Sequence, residues 1–193
     1  MLKRQLDGVF QQDKSARIHY QWIDWEFISP HIALAVVASE DQKFPYHRGF
    51  DFQSISDALE ERRTKRRFRG ASTITQQTAK NLFLWEGRSF VRKGFEAWFA
   101  VLMETLWSKR RILEIYLNIV EFGDGVYGVQ SAAEVFLGKE PSQLTRKEAA
   151  LMAAVLPSPK RFSIANPSGY MQQRTRQIER QMLNLGASHL KHL

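Results

Sequence analysis

Apolar positions recur along most of the chain at the three-to-four-residue spacing of a helix, and caps and breakers divide them into segments. Ser29-Pro30 offers a capping hydroxyl followed by proline at a first helical position, and the apolar run Ile32 to Ala38 continues it. Phe44-Pro45-Tyr46-His47-Arg48-Gly49 breaks that helix. Asp51 caps a second, which runs into the basic stretch Arg62, Arg63, Lys65, Arg66, Arg67 and Arg69 and ends at Gly70. Thr73 and Gln76 have capping-box spacing and open a third helix to about Trp85. Ser89 starts a long helix through Trp107, with Phe95, Trp98, Phe99, Leu102 and Leu106 at helical spacing. Ser108 precedes another, striped by Ile112, Ile115, Tyr116 and Ile119. Gly123, Gly125 and Gly128 mark a loop. Thr145 and Glu148 form a second capping box before Ala149–Leu156, which Pro157 stops, and Tyr170–Leu185 is a last amphipathic helix with Gly186 at its C-cap. Neither a repeat nor a run of alternating strands is visible. The pattern predicts an all-α chain, one compact unit dividing at most into two lobes.

At 193 residues, 44% hydrophobic and 25% charged, the chain has the length of one domain and the make-up of a globular one. The absence of cysteine excludes disulfides, thiolate metal sites and a cysteine nucleophile. A net charge of +8 implies an anionic partner: nucleic acid, a phosphorylated substrate or an acidic lipid surface. The longest apolar runs fall far short of the ~18 residues a membrane span needs, and Met1 to Leu6 lack the apolar core of a signal peptide.

Three motif-like signals carry little. Gly123-Asp124-Gly125-Val126-Tyr127-Gly128 fits G-x-G-x-x-G, but a dinucleotide fingerprint must follow a strand, and Ile112 to Phe122 have helical periodicity. It reads as a helix–loop–helix connector. Ser188 and Lys191 fit S-x-x-K by chance at the extreme terminus, without the companion elements of a transpeptidase. The five histidines show no metal-binding spacing, so no metal site is expected, and His47 in its turn reads as structural.

Four segments put polar groups where a plain helix would not want them. Glu40 ends an apolar helix just before an aromatic-rich turn, a position that desolvates a carboxyl and makes it a better base; an exposed helix-end glutamate is the plainer alternative. Gly70 to Asn81 feeds a small-residue turn into a helix start, whose free N–H groups suit an anion, with Gln76, Gln77 and Lys80 adding side-chain donors. A capped helix with a polar face explains it equally. Arg88, Arg92 and Glu96 line one face at i, i+4 and i+8, although an i,i+4 salt bridge accounts for the last two. Ser108 to Asn118 is amphipathic and reads most simply as a core helix.

Together these segments resemble the peptidoglycan glycosyltransferases. The resemblance rests on Glu-Asp-Gln-Lys-Phe…His-x-Gly-x-Asp over Glu40 to Asp51, Gly-Ala-Ser-Thr-Ile-Thr-Gln-Gln…Lys-Asn over Gly70 to Asn81, Arg-Lys-x-x-Glu-Ala over Arg92 to Ala97, and Lys-x-x-Ile-Leu-x-x-Tyr-Leu-Asn over Lys109 to Asn118. A fifth element runs from Arg146 through Asn166-Pro167. The likeness is closest to the monofunctional members, since no transpeptidase domain follows. It implies a mainly α, lysozyme-like helical fold with a larger head lobe and a smaller, membrane-facing jaw lobe. Residues 27–193 then form the glycosyltransferase domain, and 1–26 a juxtamembrane segment whose anchor is missing or trimmed. The implied substrate is lipid II, a disaccharide-pentapeptide on undecaprenyl diphosphate, polymerised on the outer face of the bacterial cytoplasmic membrane. The growing glycan strand, the membrane surface and other cell-wall synthesis proteins are the implied partners, and nucleic acid is not.

Carried onto this chain, the family pattern makes Glu40 the catalytic base and Glu96 a second carboxylate near the donor phosphates. It puts Ser72, Gln76, Gln77, Lys80, Arg88, Arg92, Lys93 and Asn166 against phosphate and sugar. Ala71 stands where many members have a second glycine. No tightly bound cofactor is implied, with a divalent cation, Mg or Mn, assisting at the diphosphate. A diphosphate leaves without a proton but needs positive charge, whereas a sugar leaving group needs a carboxylic acid; a basic donor site therefore favours a transferase over a lytic glycosidase. That glycosidase, and a basic nucleic-acid-binding protein drawn from the Arg62–Arg69 run, are the rival readings.

Overall fold

The computed structural model describes residues 18–63, 72–85, 87 and 89–193. In chain order the elements are β1 (His19–Tyr20), α1 (Pro30–Glu40), α2 (Phe52–Arg63), α3 (Ile74–Phe83), α4 (Phe90–Leu106), α5 (Lys109–Ile119), β2 (Glu121–Gly123), β3 (Val126–Tyr127), α6 (Val129–Leu137), α7 (Arg146–Val155) and α8 (Gly169–Leu185). Short 3-10 turns lie at Trp25–Phe27, Pro141–Gln143 and Ala187–His192. The described chain is mainly helical.

The capping signals hold residue by residue. Ser29 Oγ accepts from the His31 N–H, Asp51 Oδ1 accepts from the Ser54 N–H, and both capping boxes form. Ser89, Ser108 and Ser168 each cap a helix through the amide three residues on. The basic stretch beyond Arg63, through Gly70, lies outside the described residues.

Every residue from Ile32 to Ala38 is buried, so α1 has no polar face and must be enclosed. It packs against α7, α8 and the terminal 3-10 turn, while α3 packs on α4 and α5. This arrangement brings the end of α1 to the start of α3. Residues ahead of α1 are tied to the same body: Asn118 on α5 accepts from the Ile23 N–H and donates to the Ile23 carbonyl, and Glu114 accepts from the Trp25 N–H.

Two expectations need correcting. The glycine segment is a hairpin, not a loop: β3 pairs antiparallel with β2 and parallel with β1 in a three-stranded sheet. Strands of two or three residues are too short to show an alternating pattern. Glycine is needed here for close approach, because a Cβ on Gly128 would stand 2.6 Å from the Asn118 carbonyl oxygen, and one on Gly123 would stand 2.5 Å from the Phe136 ring. Second, α6 is an additional helix whose N-cap, Gly128, has no side chain to announce it. The stripe that spacing marked on α4 is largely not a core face. The helix buries Glu96, Ala100 and Met103 and leaves Phe90 98% and Trp98 59% exposed.

Candidate active site

The last turn of α1 delivers Glu40 to the junction of α3, α5 and α8. Its Oε2 accepts from Gln77 Nε2 of α3 at 3.1 Å, and its Oε1 lies 3.8 Å from Arg174 Nη2 of α8. Burial pushes the Glu40 carboxyl above its ordinary range; the Gln77 donor and the Arg174 charge oppose that rise, and neighbouring Asp41 adds to it. Behind Gln77, the Tyr116 hydroxyl of α5 donates to Gln77 Oε1 at 3.0 Å. Tyr116 is fully buried, which drives its phenol well above the usual value.

The start of α3 differs from the open anion site expected of it. The Ile74 N–H is taken by Asp41 Oδ2, the Thr73 N–H by Gln76 Oε1, and the Gln76 N–H by Thr73 Oγ1. Asp41 is itself held by His47 Nε2, 2.9 Å from Oδ1 and 3.0 Å from Oδ2. A carboxylate of the protein thus satisfies the positive helix end. Anion recognition here has to come from side chains, and the structure supplies them nearby.

Ser72, Gln76, Gln77, Lys80, Arg92, Lys93 and Glu96 line one cleft of about 300 Å³ between α3 and α4. Glu96 is buried on the α4 side, ion-paired to Lys93 and 3.9 Å from Arg92 Nη1. Arg92 Nε is buried and has no hydrogen-bond partner. Three cations therefore face one carboxylate across the lining. Gln77 belongs to that lining and also touches Glu40, so the desolvated carboxyl and the cationic cleft share a wall.

Of the other residues singled out in the sequence, Asn166 sits in the exposed loop between α7 and α8, where its N–H donates to Ser163 Oγ; it does not line the cleft. Arg88 lies outside the described residues. Two neighbours of Glu40 were given no site role by the sequence. Tyr116 was read as part of an apolar stripe and of the Tyr-Leu-Asn motif, and Arg174 stands on a helix that also carries Arg176 and Arg180, with nothing local to set it apart.

The donor set suits a metal poorly. Among the described residues no three His, Asp or Glu side chains come together as a ligand group, and the carboxylate in the cleft lining, Glu96, is engaged by two cations.

Apolar surface borders the cleft. Leu82, Phe83 and Trp85, at and just beyond the end of α3, are exposed beside the outward face of α4. Phe83 stacks on Phe99 with ring centroids 4.5 Å apart, and Trp85 meets Phe95 edge-on at 6.2 Å. Among the described residues no helix is long and apolar enough to cross a membrane.

Comparison with known proteins gives a consistent neighbourhood. A transglycosylase family model matches residues 7–183. A biosynthetic peptidoglycan transglycosylase of Shigella boydii serotype 4 (strain Sb227) is 56% identical over 187 residues, 96% of this chain and 77% of that protein. One of Xylella fastidiosa (strain M12) is 52% identical over 188 residues, 97% of this chain and 77% of its own length. One of Escherichia coli (strain K12 / DH10B) is 55% identical over 187 residues, with 96% and 77% covered.

Proposed function

The chain belongs to the transglycosylase family, and on that premise we propose that it polymerises lipid II into peptidoglycan glycan strands by inverting glycosyl transfer. The observation that carries the reading is the shared wall: a desolvated carboxyl, Glu40, joined through Gln77 to a cleft rich in cations.

The 4-hydroxyl of one lipid II attacks the anomeric carbon of the growing chain from the face opposite the diphosphate. As the new C–O bond forms, the hydroxyl proton passes to Glu40, whose raised affinity for protons suits a base working near neutral pH. The anomeric C–O bond breaks, and its electron pair leaves on undecaprenyl diphosphate. Lys80, Arg92 and Lys93, together with Arg88, stabilise that charge, and Ser72, Gln76 and Gln77 donate to phosphate and sugar oxygens. Glu96 holds Lys93 and Arg92 in place from behind. Asn166, in the α7–α8 loop outside the cleft lining, is given no contact in this scheme. A divalent cation at the diphosphate would be held by phosphate oxygens, since the described residues offer it no ligand group; its contribution would be charge neutralisation.

Leu82, Phe83, Trp85 and the outward face of α4 then rest on the outer leaflet of the bacterial cytoplasmic membrane, where the substrate's lipid lies. The +8 charge adds attraction to anionic headgroups.

Incubation with purified lipid II tests the reading. Formation of glycan polymer with release of undecaprenyl diphosphate is expected. Cleavage of preformed glycan without polymer would make the protein a lytic enzyme, and salt-sensitive DNA binding without either reaction would place it among nucleic-acid binders.

A further inference from the structure

Tyr116 is a fully buried side chain whose polar atom reaches toward Glu40 through a single intermediary, Gln77. A carboxamide is nearly symmetric in shape but not in hydrogen bonding: one end accepts and the other donates. At Gln77 the accepting end is turned to the Tyr116 hydroxyl and the donating end to Glu40. We propose that Tyr116 is a positioning residue for the reaction, locking the Gln77 amide in the one orientation that presents its N–H to the Glu40 carboxylate. This inference rests on Glu40 being the base.

The physical reason is the cost of the alternative. With the Tyr116 hydroxyl absent, only Glu40 orients the Gln77 amide: Oε1 is left without its buried donor, and once Glu40 is protonated the amide is free to turn over and withdraw its N–H. Burial and the nearby Glu40 and Asp41 charges keep the Tyr116 phenol protonated, so it remains a donor throughout the working pH range. The remaining groups around Glu40 do not replace Gln77: the Ser39 hydroxyl also lowers the Glu40 pKa, but less than Gln77 does, and it donates to the Val36 carbonyl. Arg174 from α8 faces the other oxygen at 3.8 Å, Asp41 from its own chain is a like charge committed to His47 and the Ile74 N–H, and His189 of the terminal turn bonds the Gln42 carbonyl. Lys109 of α5 is paired with Glu104.

The sign of the pH effect follows. The Gln77 donor lowers the Glu40 pKa, so losing it raises that pKa further, and the base form disappears at higher pH. Tyr116→Phe keeps the ring and removes only the hydroxyl. Its turnover of lipid II should fall about five- to tenfold, the scale of one lost hydrogen bond, with the acid limb of the rate profile moved to higher pH and the melting temperature little changed. In a Gln77→Leu background, adding Tyr116→Phe should change neither turnover nor the acid limb, because the residue acts only through Gln77. A wild-type acid limb in Tyr116→Phe, or additive losses in the double variant, would overturn the proposal. Should Tyr116→Phe fail to fold, the wild-type protein still decides: the Gln77 side-chain NH₂ resonances should move with Glu40 titration and the Tyr116 hydroxyl proton should be protected from exchange, and NH₂ shifts indifferent to Glu40 or a freely exchanging hydroxyl would refute the lock. Glu40→Gln separates the two levels. Near-normal polymerisation by that variant removes the base assignment, whereas an inactive Glu40→Gln beside an unaffected Tyr116→Phe removes the Tyr116 role alone.

Discussion

Helices α1 and α4 each contribute a glutamate to the same region, and in every other respect they are opposites. The first is apolar on all sides and enclosed, and its carboxyl emerges at the very end, short of water and balanced by a single guanidinium at 3.8 Å. The second buries its carboxylate mid-helix against Lys93 and Arg92 while Phe90, Phe95 and Trp98 are exposed. One residue type is thus prepared for two jobs by surroundings alone. Glu40 is destabilised as an anion and ready to take a proton; Glu96 is an anchor for cations.

That contrast breaks first at Glu40. Glu40→Gln should lower lipid II polymerisation by about a hundredfold or more, with folding and diphosphate binding retained; near-normal turnover in a polymerisation assay would deny Glu40 the base role. Stability separates the helices next. Ile32→Ala in α1 should cost about 2–5 kcal/mol, as a cavity in an enclosed core does, whereas Trp98→Ala on the exposed face of α4 should stay within about 0.5 kcal/mol; equal losses in denaturant titrations would mean that α4 is covered after all. Changing Leu82, Phe83 and Trp85 together to Ser should weaken binding to anionic lipid vesicles about tenfold, since three partly buried apolar side chains are removed from the bilayer interface. Unchanged co-sedimentation would detach that surface from the membrane. The smallest effect sharpens the cleft: Lys80→Ala should reduce affinity for diphosphate-bearing ligands about fivefold, the upper worth of one solvent-exposed ion pair, and calorimetry showing no change would take Lys80 out of the donor site.

Local chemistry made much of this legible from residues in order. Serine, threonine and aspartate caps act within one helical turn, so Ser29, Asp51, Thr73, Ser89, Ser108 and Thr145 announced where helices begin, and the structure agrees. The ordered motifs likewise named, ahead of any coordinates, the seven side chains that line the cleft. Other features are invisible to spacing because they are properties of contacts between distant segments. The hairpin is too short to have a period, and the stripe on α4 has a period but no label for inside or outside. The start of α3 looked open until Asp41, thirty-three positions earlier, filled it. Only folding brought Arg174 and Tyr116, from helices far along the chain, to either side of Glu40 and Gln77. A carboxyl's proton affinity depends on which water it loses and which charges replace it, and those are decided by packing in three dimensions rather than by neighbours in sequence.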